Sequence, residues 1–440
     1  MEIRINQEKT IGKIKPMHAT GGGPFEYHPY IRSDVEDIYR EIGIPSCRLH
    51  DIKAPYGSNQ FVDIHCIFPD FDADENDEAS YNFFHTDEYL LNIQSVGSEI
   101  FYRLGESIDH NAKKLFIAPP KDFAKWARIC EHIIRHYNEG WANGHHLGIK
   151  HWEIWNEPEG SKNMWTGTPE QFYELYTVTA KHLKSCFPEL MIGGYSCVGV
   201  YDAIRDHSHE KYRPWFDTIL PIMNGFFDYI EGKDVPLDFF SWHIYAISPE
   251  EIAKAAKFVR EYLDGRGYKN AESYLTEFNY DYSLRSKPTL YDHTEFSADV
   301  LSALIEGQNA PVDMIFYYAF LPFAYNGMFY VEPLHKEIKK IPAFNAMKFF
   351  GDLYRLKNQV ETDYEKGHGF YALAAGNEDK CAVAIASREY DGEIDIVIDA
   401  KEATVLSQVG VGELCETSLT AKDGKITLEL NKEGIYYISF

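Results

Sequence analysis

The chain has 440 residues, 45% hydrophobic and 15% aromatic, enough apolar mass for a large core and too much for a disordered chain. Its 43 basic and 68 acidic side chains leave a formal charge of −25, which repels phosphate backbones and excludes nucleic acid as an expected partner. No run approaches 18 apolar residues, Met1-Glu2-Ile3-Arg4-Ile5 lacks the basic-then-apolar order of a signal peptide, and the seven cysteines are scattered without a Cys-x-x-Cys. The expectation is a cytoplasmic protein with reduced thiols and no membrane span. A chain of this length suggests two or three domains, or one large barrel with an appendage.

Ile3, Ile5, Ile11 and Ile14 alternate with polar residues and predict short strands before a turn over 18–24. Ser33 or Asp34 caps a helix with Val35, Ile38, Tyr39 and Ile42 on one face, ended by Gly43, and a strand follows over 45–51. An insert from Lys53 to Asp87 interrupts this rhythm. Its Asp70, Asp72, Asp74, Asn76 and Glu78 alternate like a calcium loop, but the sixth position is not glycine and the twelfth is Tyr81. It reads as a solvated acidic loop. After a strand over 99–104, Pro119-Pro120 opens a helix to about Trp141, with Phe123, Trp126, Cys130, Ile133 and Tyr137 at helical spacing. Its His132 and His136 lie four apart without the glutamate of His-Glu-x-x-His, so they read as surface histidines and no metal is expected.

The stretch His151-Trp152-Glu153-Ile154-Trp155-Asn156-Glu157-Pro158 reads as a buried strand stopped by its proline. A glutamate at such a strand end, beside an amide and ringed by indoles, is desolvated and able to donate a proton near neutral pH. Thr168-Pro169-Glu170-Gln171 is a capping box for a helix to about Phe187. Strands over 191–195, 239–245, 273–279 and 313–318 then alternate with helices over about 215–230, 249–263, 294–306 and 344–354. Eight strand–helix repeats over roughly 340 residues predict an α/β fold, a (β/α)₈ TIM barrel over 14–355. A doubly wound open sheet is the alternative, without its Gly-x-Gly-x-x-Gly turn. From about Asn358, short strands separated by Gly, Asn and Asp turns predict an accessory all-β sandwich built from 356–440 together with 1–13.

Functional groups of such a barrel sit at the C-terminal ends of strands. Glu157 closes the fourth strand and Glu277, in Leu275-Thr276-Glu277-Phe278-Asn279, the seventh. Two glutamates facing each other across a barrel mouth are the arrangement of glycoside hydrolysis. With these residues in place, the chain resembles family-39 glycoside hydrolases of clan A, the β-xylosidases and α-L-iduronidases. The likeness runs from His18 through Arg48-Leu49-His50, 153–158, Trp242-His243-Ile244-Tyr245 and Thr276-Glu277 to 340–346.

That resemblance implies Glu157 as acid/base, Glu277 as nucleophile and Asn156 as the partner of the sugar 2-hydroxyl. It puts His50, His243 and Tyr245 around the reacting sugar, with Trp155, Phe278 and Tyr318 as further sugar-binding rings. The sequence departs from the family at Lys150, Glu159, Phe278 and Phe316-Tyr317-Tyr318, positions that bear on specificity. The expected activity is a retaining exo-glycosidase for a terminal β-D-xylosyl group, with β-galactoside, α-L-arabinoside or iduronide as alternatives. No metal or organic cofactor is implied; the partner is an oligosaccharide or glycoside, and a homo-oligomer is compatible. Two other classes stay open: a catalytically silent sugar-binding barrel, and a metallohydrolase resting on the scattered histidines.

Overall fold

The structure, a computed structural model, describes residues 1–24, 35–52, 61–109, 112–160, 163–281, 295–320, 327–331, 337–409 and 413–440. Strand β1 (Glu2–Lys13) precedes a closed parallel barrel. The barrel strands are β2 (Ala19–Gly21), β3 (Ser46–Arg48), β4 (Glu99–Leu104), β5 (His151–Ile154), β6 (Met191–Cys197), β7 (Phe239–Ala246), β8 (Glu272–Tyr280) and β9 (Met314–Tyr317). Each pairs with the next, and β2 pairs with β9 to close the ring. Strands covered on both faces must be apolar almost throughout, which is why β7 is buried at seven of its eight positions. Ala19, Phe101, Phe239, Tyr274 and Phe316 come from five different strands and form a cluster of their own, which floors the barrel beneath the site.

Among the helices outside the barrel, Pro169–Cys186 starts with the full capping box: Thr168 accepts from the Gln171 N–H, and the Gln171 side chain accepts from the Thr168 N–H. Three expectations are corrected. The helix expected from Pro119 starts at Phe123, because Asp122 caps it through the Lys125 N–H. Strand β5 ends at Ile154 rather than running to Pro158, since Trp155 and Glu157 take left-handed φ values of 71° and 43°. His136 is buried rather than on the surface. The cap expected at Ser33 or Asp34 lies outside the described residues. In the acidic loop, Asp70, Asp74 and Asp77 accept from backbone N–H groups two residues on, and Glu75 pairs with Arg128.

The C-terminal strands form one nine-stranded sheet, and β1 lies inside it, antiparallel to Asn358–Asp363 and parallel to Gly392–Val397. The sheet curls so that Ile394 and Ile396 near one edge share a core with Val405 and Ile438 near the other. The period of two sorts its central strands. Val383 and Ile385 enter that core, while Ala382, Ala384 and Ala386 join the barrel's. Alanine on this second face lets the helices Glu295–Asn309 and Ala343–Leu356 come close. A pair at 2.6 Å between the partly buried Arg388 and the buried Asp299 crosses the same junction. No helix among the described residues is long and apolar enough to cross a membrane.

Candidate active site

Arg48, the last residue of β3, is fully buried at the centre of the barrel mouth. Its Nε donates to Glu153 at 2.7 Å and one terminal nitrogen to Glu277 Oε1 at 2.9 Å. The other terminal nitrogen donates to Asn156 Oδ1 at 2.6 Å and to Ser196 Oγ at 2.9 Å. One guanidinium thus ties together side chains from β5, the turn after it, β6 and β8. Removing one partner of a buried ion pair leaves the other charge uncompensated. Arg48→Met is expected to cost about 3–5 kcal/mol, read as a fall in the urea midpoint; an unchanged midpoint would mean the carboxylates do not depend on it.

Glu277 owes its orientation to irregularities in β8. The pairing with β7 slips between Trp242 and His243, and that with β9 slips between Leu275 and Phe278. Such bulges re-aim side chains beside active sites. Here Glu277 turns into the mouth and Phe278 onto the opposite face. Glu277 also accepts from the Tyr245 hydroxyl at 3.2 Å. Burial, with Glu157 nearby, raises its pKa, while His243 and the Arg48 guanidinium pull the other way.

Glu157 faces it from the turn after β5. Burial pushes its carboxyl up to about 7; Asp51 adds to this and Arg48 opposes it. Among its described contacts, Glu157 Oε1 meets His243 Nδ1 at 2.7 Å. His243 is itself lowered to about 4 by burial, so above that pH the ring is neutral and the pair is not an ion pair. Its Nε2 contacts Ser196 Oγ at 2.9 Å. One oxygen of Glu157, one of Glu277 and a ring nitrogen of His243 all lie within 4.8 Å of one another. A carboxyl group poised to hold a proton near neutral pH and a second one clamped by a guanidinium therefore face a common space.

That space is a cavity of about 430 Å³, within the range of small-molecule sites. Glu157, Glu277, His50, Tyr245 and Tyr318 line it, joined by Tyr201, Arg213 and the partly exposed Trp215. His50 is buried, its pKa pushed well below the usual range by burial and by Arg103 and Arg48; its Nδ1 has no hydrogen-bond partner among the described residues. The Tyr318 hydroxyl donates to Asp51 at 3.2 Å. Asn156 is buried, its Oδ1 clamped by Arg48 and Ser196 and its Nδ2 without a hydrogen-bond partner among the described residues.

Two expected sugar-facing rings are elsewhere. Trp155 turns outward at its left-handed φ, packs on Trp126 and Trp165, and donates its indole N–H to the Met164 carbonyl. Phe278 packs on Tyr280 and Tyr317. The carboxyl of Glu157 is thus desolvated by its burial in the barrel mouth, not by the Trp155 indole. No role for Arg48, Asp51, Glu153, Ser196, Tyr201 or Arg205 was read from the sequence. Arg205, itself paired with the buried Glu251, donates to the Tyr245 carbonyl, and the Tyr245 N–H donates to the Tyr201 hydroxyl. A charged residue in an otherwise apolar barrel strand, as at Arg48 and Glu153, is the signal that was available.

The sequence profile of glycosyl hydrolases family 39 matches residues 1–405. The chain belongs to this family. A β-xylosidase from Caldicellulosiruptor saccharolyticus is 24% identical over 429 residues, covering 88% of this chain and 78% of that one. A β-xylosidase from Geobacillus stearothermophilus is 25% identical over 345 residues, covering 68% and 63%. Among solved structures, a glucosidase from Croceicoccus marinus superposes with a TM-score of 0.77 at 23% identity, covering 100% of this chain and 98% of that one. A monomeric β-xylosidase from Caulobacter crescentus CB15 reaches 0.70 at 15% identity, covering 100% and 99%. An α-L-arabinofuranosidase from Thermotoga maritima reaches 0.67 at 15%, with the same coverage. These structural likenesses bear on the fold, a TIM barrel with a second, mostly antiparallel sheet. This family-39 enzyme is a glycosidase.

Proposed function

We propose that the enzyme is a retaining, exo-acting glycosidase that removes a terminal β-D-xylosyl group by double displacement. The observation that carries this is the approach of Glu157 and Glu277, with one oxygen of each within 4.8 Å. Retaining enzymes hold their carboxyl groups about 5–5.5 Å apart, whereas inverting ones need about 6.5–9.5 Å to admit a water. In this reading Glu277 attacks the anomeric carbon while Glu157 protonates the leaving oxygen; Glu157 then takes a proton from water, which releases the sugar from Glu277. Asn156, its carbonyl oxygen held by Arg48, offers its free Nδ2 to the sugar 2-hydroxyl. His50, His243, Tyr245 and Tyr318 surround the ring, and Trp215 replaces Trp155 and Phe278 as the aromatic wall. The chemistry runs on these side chains alone. The barrel over 14–355 is the catalytic domain in this proposal, and 1–13 with 356–440 the accessory one.

The β-xylosidase relatives favour xylose, and the arabinofuranosidase and glucosidase neighbours name its main competitors. A screen of aryl β-xyloside, β-galactoside, β-glucoside and α-L-arabinoside, with the product anomer followed by NMR, tests the sugar and the stereochemistry together. Inversion would remove the double displacement, and no turnover of any glycoside would favour a silent sugar-binding protein.

The pH profile has a definite sign. Glu157 must be protonated and Glu277 ionised in the free enzyme, so kcat/KM should be bell-shaped. The acid limb falls as Glu277, its own pKa raised by burial, takes up a proton. The alkaline limb falls as pH rises through about 7, the value the burial of Glu157 produces. In Glu157→Gln that alkaline limb should vanish. If it persists at the same position, another group is the acid.

A further inference from the structure

A cluster unrelated to the barrel mouth lies where the start of the helix Phe84–Ser95 meets the end of the helix Phe123–Asn138. Asp87, His136 and His145 each supply one ligating atom, and the three atoms lie within 4.8 Å of one another. His136 Nε2 is 2.9 Å from Asp87 Oδ1, and His145 Nε2 is 3.6 Å from Asp87 Oδ2. The tautomer of His136 follows from its other nitrogen. Nδ1 lies 2.8 Å from the Trp141 carbonyl oxygen, which can only accept, so Nδ1 carries the proton. In the neutral ring Nε2 is then a bare lone pair facing a carboxylate oxygen. His145 Nε2 is also buried and has no hydrogen-bond partner among the described residues.

Buried polar atoms are normally paired, and two acceptors 2.9 Å apart need a cation between or beside them. A proton would satisfy His136 and Asp87 but would leave His145 Nε2 orphaned. A metal ion satisfies all three. We propose that Asp87, His136 and His145 bind a divalent cation of the zinc class. Two imidazoles and a carboxylate suit a borderline ion and leave a fourth position for water. Metal–ligand bonds of about 2.0–2.1 Å place tetrahedral ligand atoms about 3.3–3.4 Å apart. The His136 contact with Asp87 Oδ1 at 2.9 Å and the His145 contact with Asp87 Oδ2 at 3.6 Å each lie within roughly 0.4 Å of that spacing. His136 already has the second contact that orients zinc-bound histidines, an N–H on a carbonyl. Its ring is held flat against Phe83, with centroids 3.6 Å apart. Asp87 and His145 are 27% and 26% exposed, which gives the ion a way in. The segment carrying His145 turns back through left-handed Ala142 and Asn143, and the His145 N–H donates to the His136 carbonyl. The ion would therefore clip the insert-side helix, the end of its neighbour and the loop entering β5.

The test uses the full chain, stripped with a chelator and titrated with Zn²⁺ by calorimetry and with Co²⁺ by visible absorption. The expected result is one equivalent of Zn²⁺, tetrahedral d–d bands with Co²⁺, and a melting temperature raised by Zn²⁺ and lowered by chelation. Aryl-glycoside turnover well below the melting transition should not change. Asp87→Asn and His145→Ala should each weaken Zn²⁺ binding at least ~100-fold and remove the Zn²⁺-dependent rise in melting temperature. His182→Ala, in the separate Glu131–His182–Cys186 group, should leave both intact. No stoichiometric binding to the wild-type chain, or undiminished binding in both Asp87→Asn and His145→Ala, would overturn the proposal.

Discussion

Replacing Glu277 with alanine is expected to lower turnover of every glycoside by roughly 10⁶-fold, the scale on which a nucleophile acting within a catalytic unit is lost. No glycosyl-enzyme can form without its carboxylate. The loss should extend to activated and natural substrates alike, because both need the carboxylate at the anomeric carbon in the step that expels the leaving group. The same change opens space beside a positive charge. Arg48 loses its 2.9 Å contact with Glu277, and the Tyr245 hydroxyl loses its acceptor. A small anion can occupy that position, so azide should restore activity on a substrate with a good leaving group. Its product should be the glycosyl azide of opposite anomeric configuration, since azide attacks from the nucleophile's side and Glu157 is untouched. An azide product of unchanged configuration would assign Glu277 another role, and so would retained hydrolysis without azide.

The barrel was readable because parallel strands covered on both faces have to be apolar runs, as at Phe239–Ala246. The two glutamates were readable because a carboxylate at the end of such a run has no packing reason to be there. The side-chain directions around them were not. Trp155 sits beside the site in sequence, yet its left-handed backbone sends the indole outward, and no local pattern announces a positive φ at tryptophan. Phe278 could have been placed by parity, since neighbours on a strand face opposite ways and Glu277 faces in. Arg48 carried a usable signal that was passed over: a guanidinium in Ser46-Cys47-Arg48-Leu49 can be buried only if carboxylates meet it, and Glu153 and Glu277 do.

The histidine pair shows the limit from the other side. The spacing of His132 and His136 drew attention to one helix face, but His132 Nδ1 rests on the Arg128 carbonyl, and the partners of His136 are Asp87 and His145. Asp87 is 49 residues away, a distance that only the fold closes. The second sheet differs in the same way. Its strands were evident from β-branched runs and turns. The alternation of valine and isoleucine with alanine along Cys381–Ser387 decides which face carries the sheet's own core and which meets the barrel helices.

Glu157→Ala separates the two carboxylates by substrate. Dinitrophenolate leaves without a proton, so the first step on a dinitrophenyl glycoside should survive the substitution. The second step still lacks the base that activates water, so the glycosyl-enzyme on Glu277 should accumulate and give a burst equal to the enzyme present. Azide should intercept this intermediate and give a product with the substrate's own anomeric configuration, the reverse of the outcome for Glu277→Ala. A natural disaccharide has a poor alkoxide leaving group and should lose about 10²–10⁴-fold in kcat/KM, the typical contribution of general acid catalysis. His243 should not take over. Its Nδ1 loses the partner it had at 2.7 Å, but burial holds the ring near a pKa of about 4, so it carries no spare proton at neutral pH. Equal losses on the activated glycoside and the disaccharide, with no burst, would mean that Glu157 shapes the site without transferring a proton.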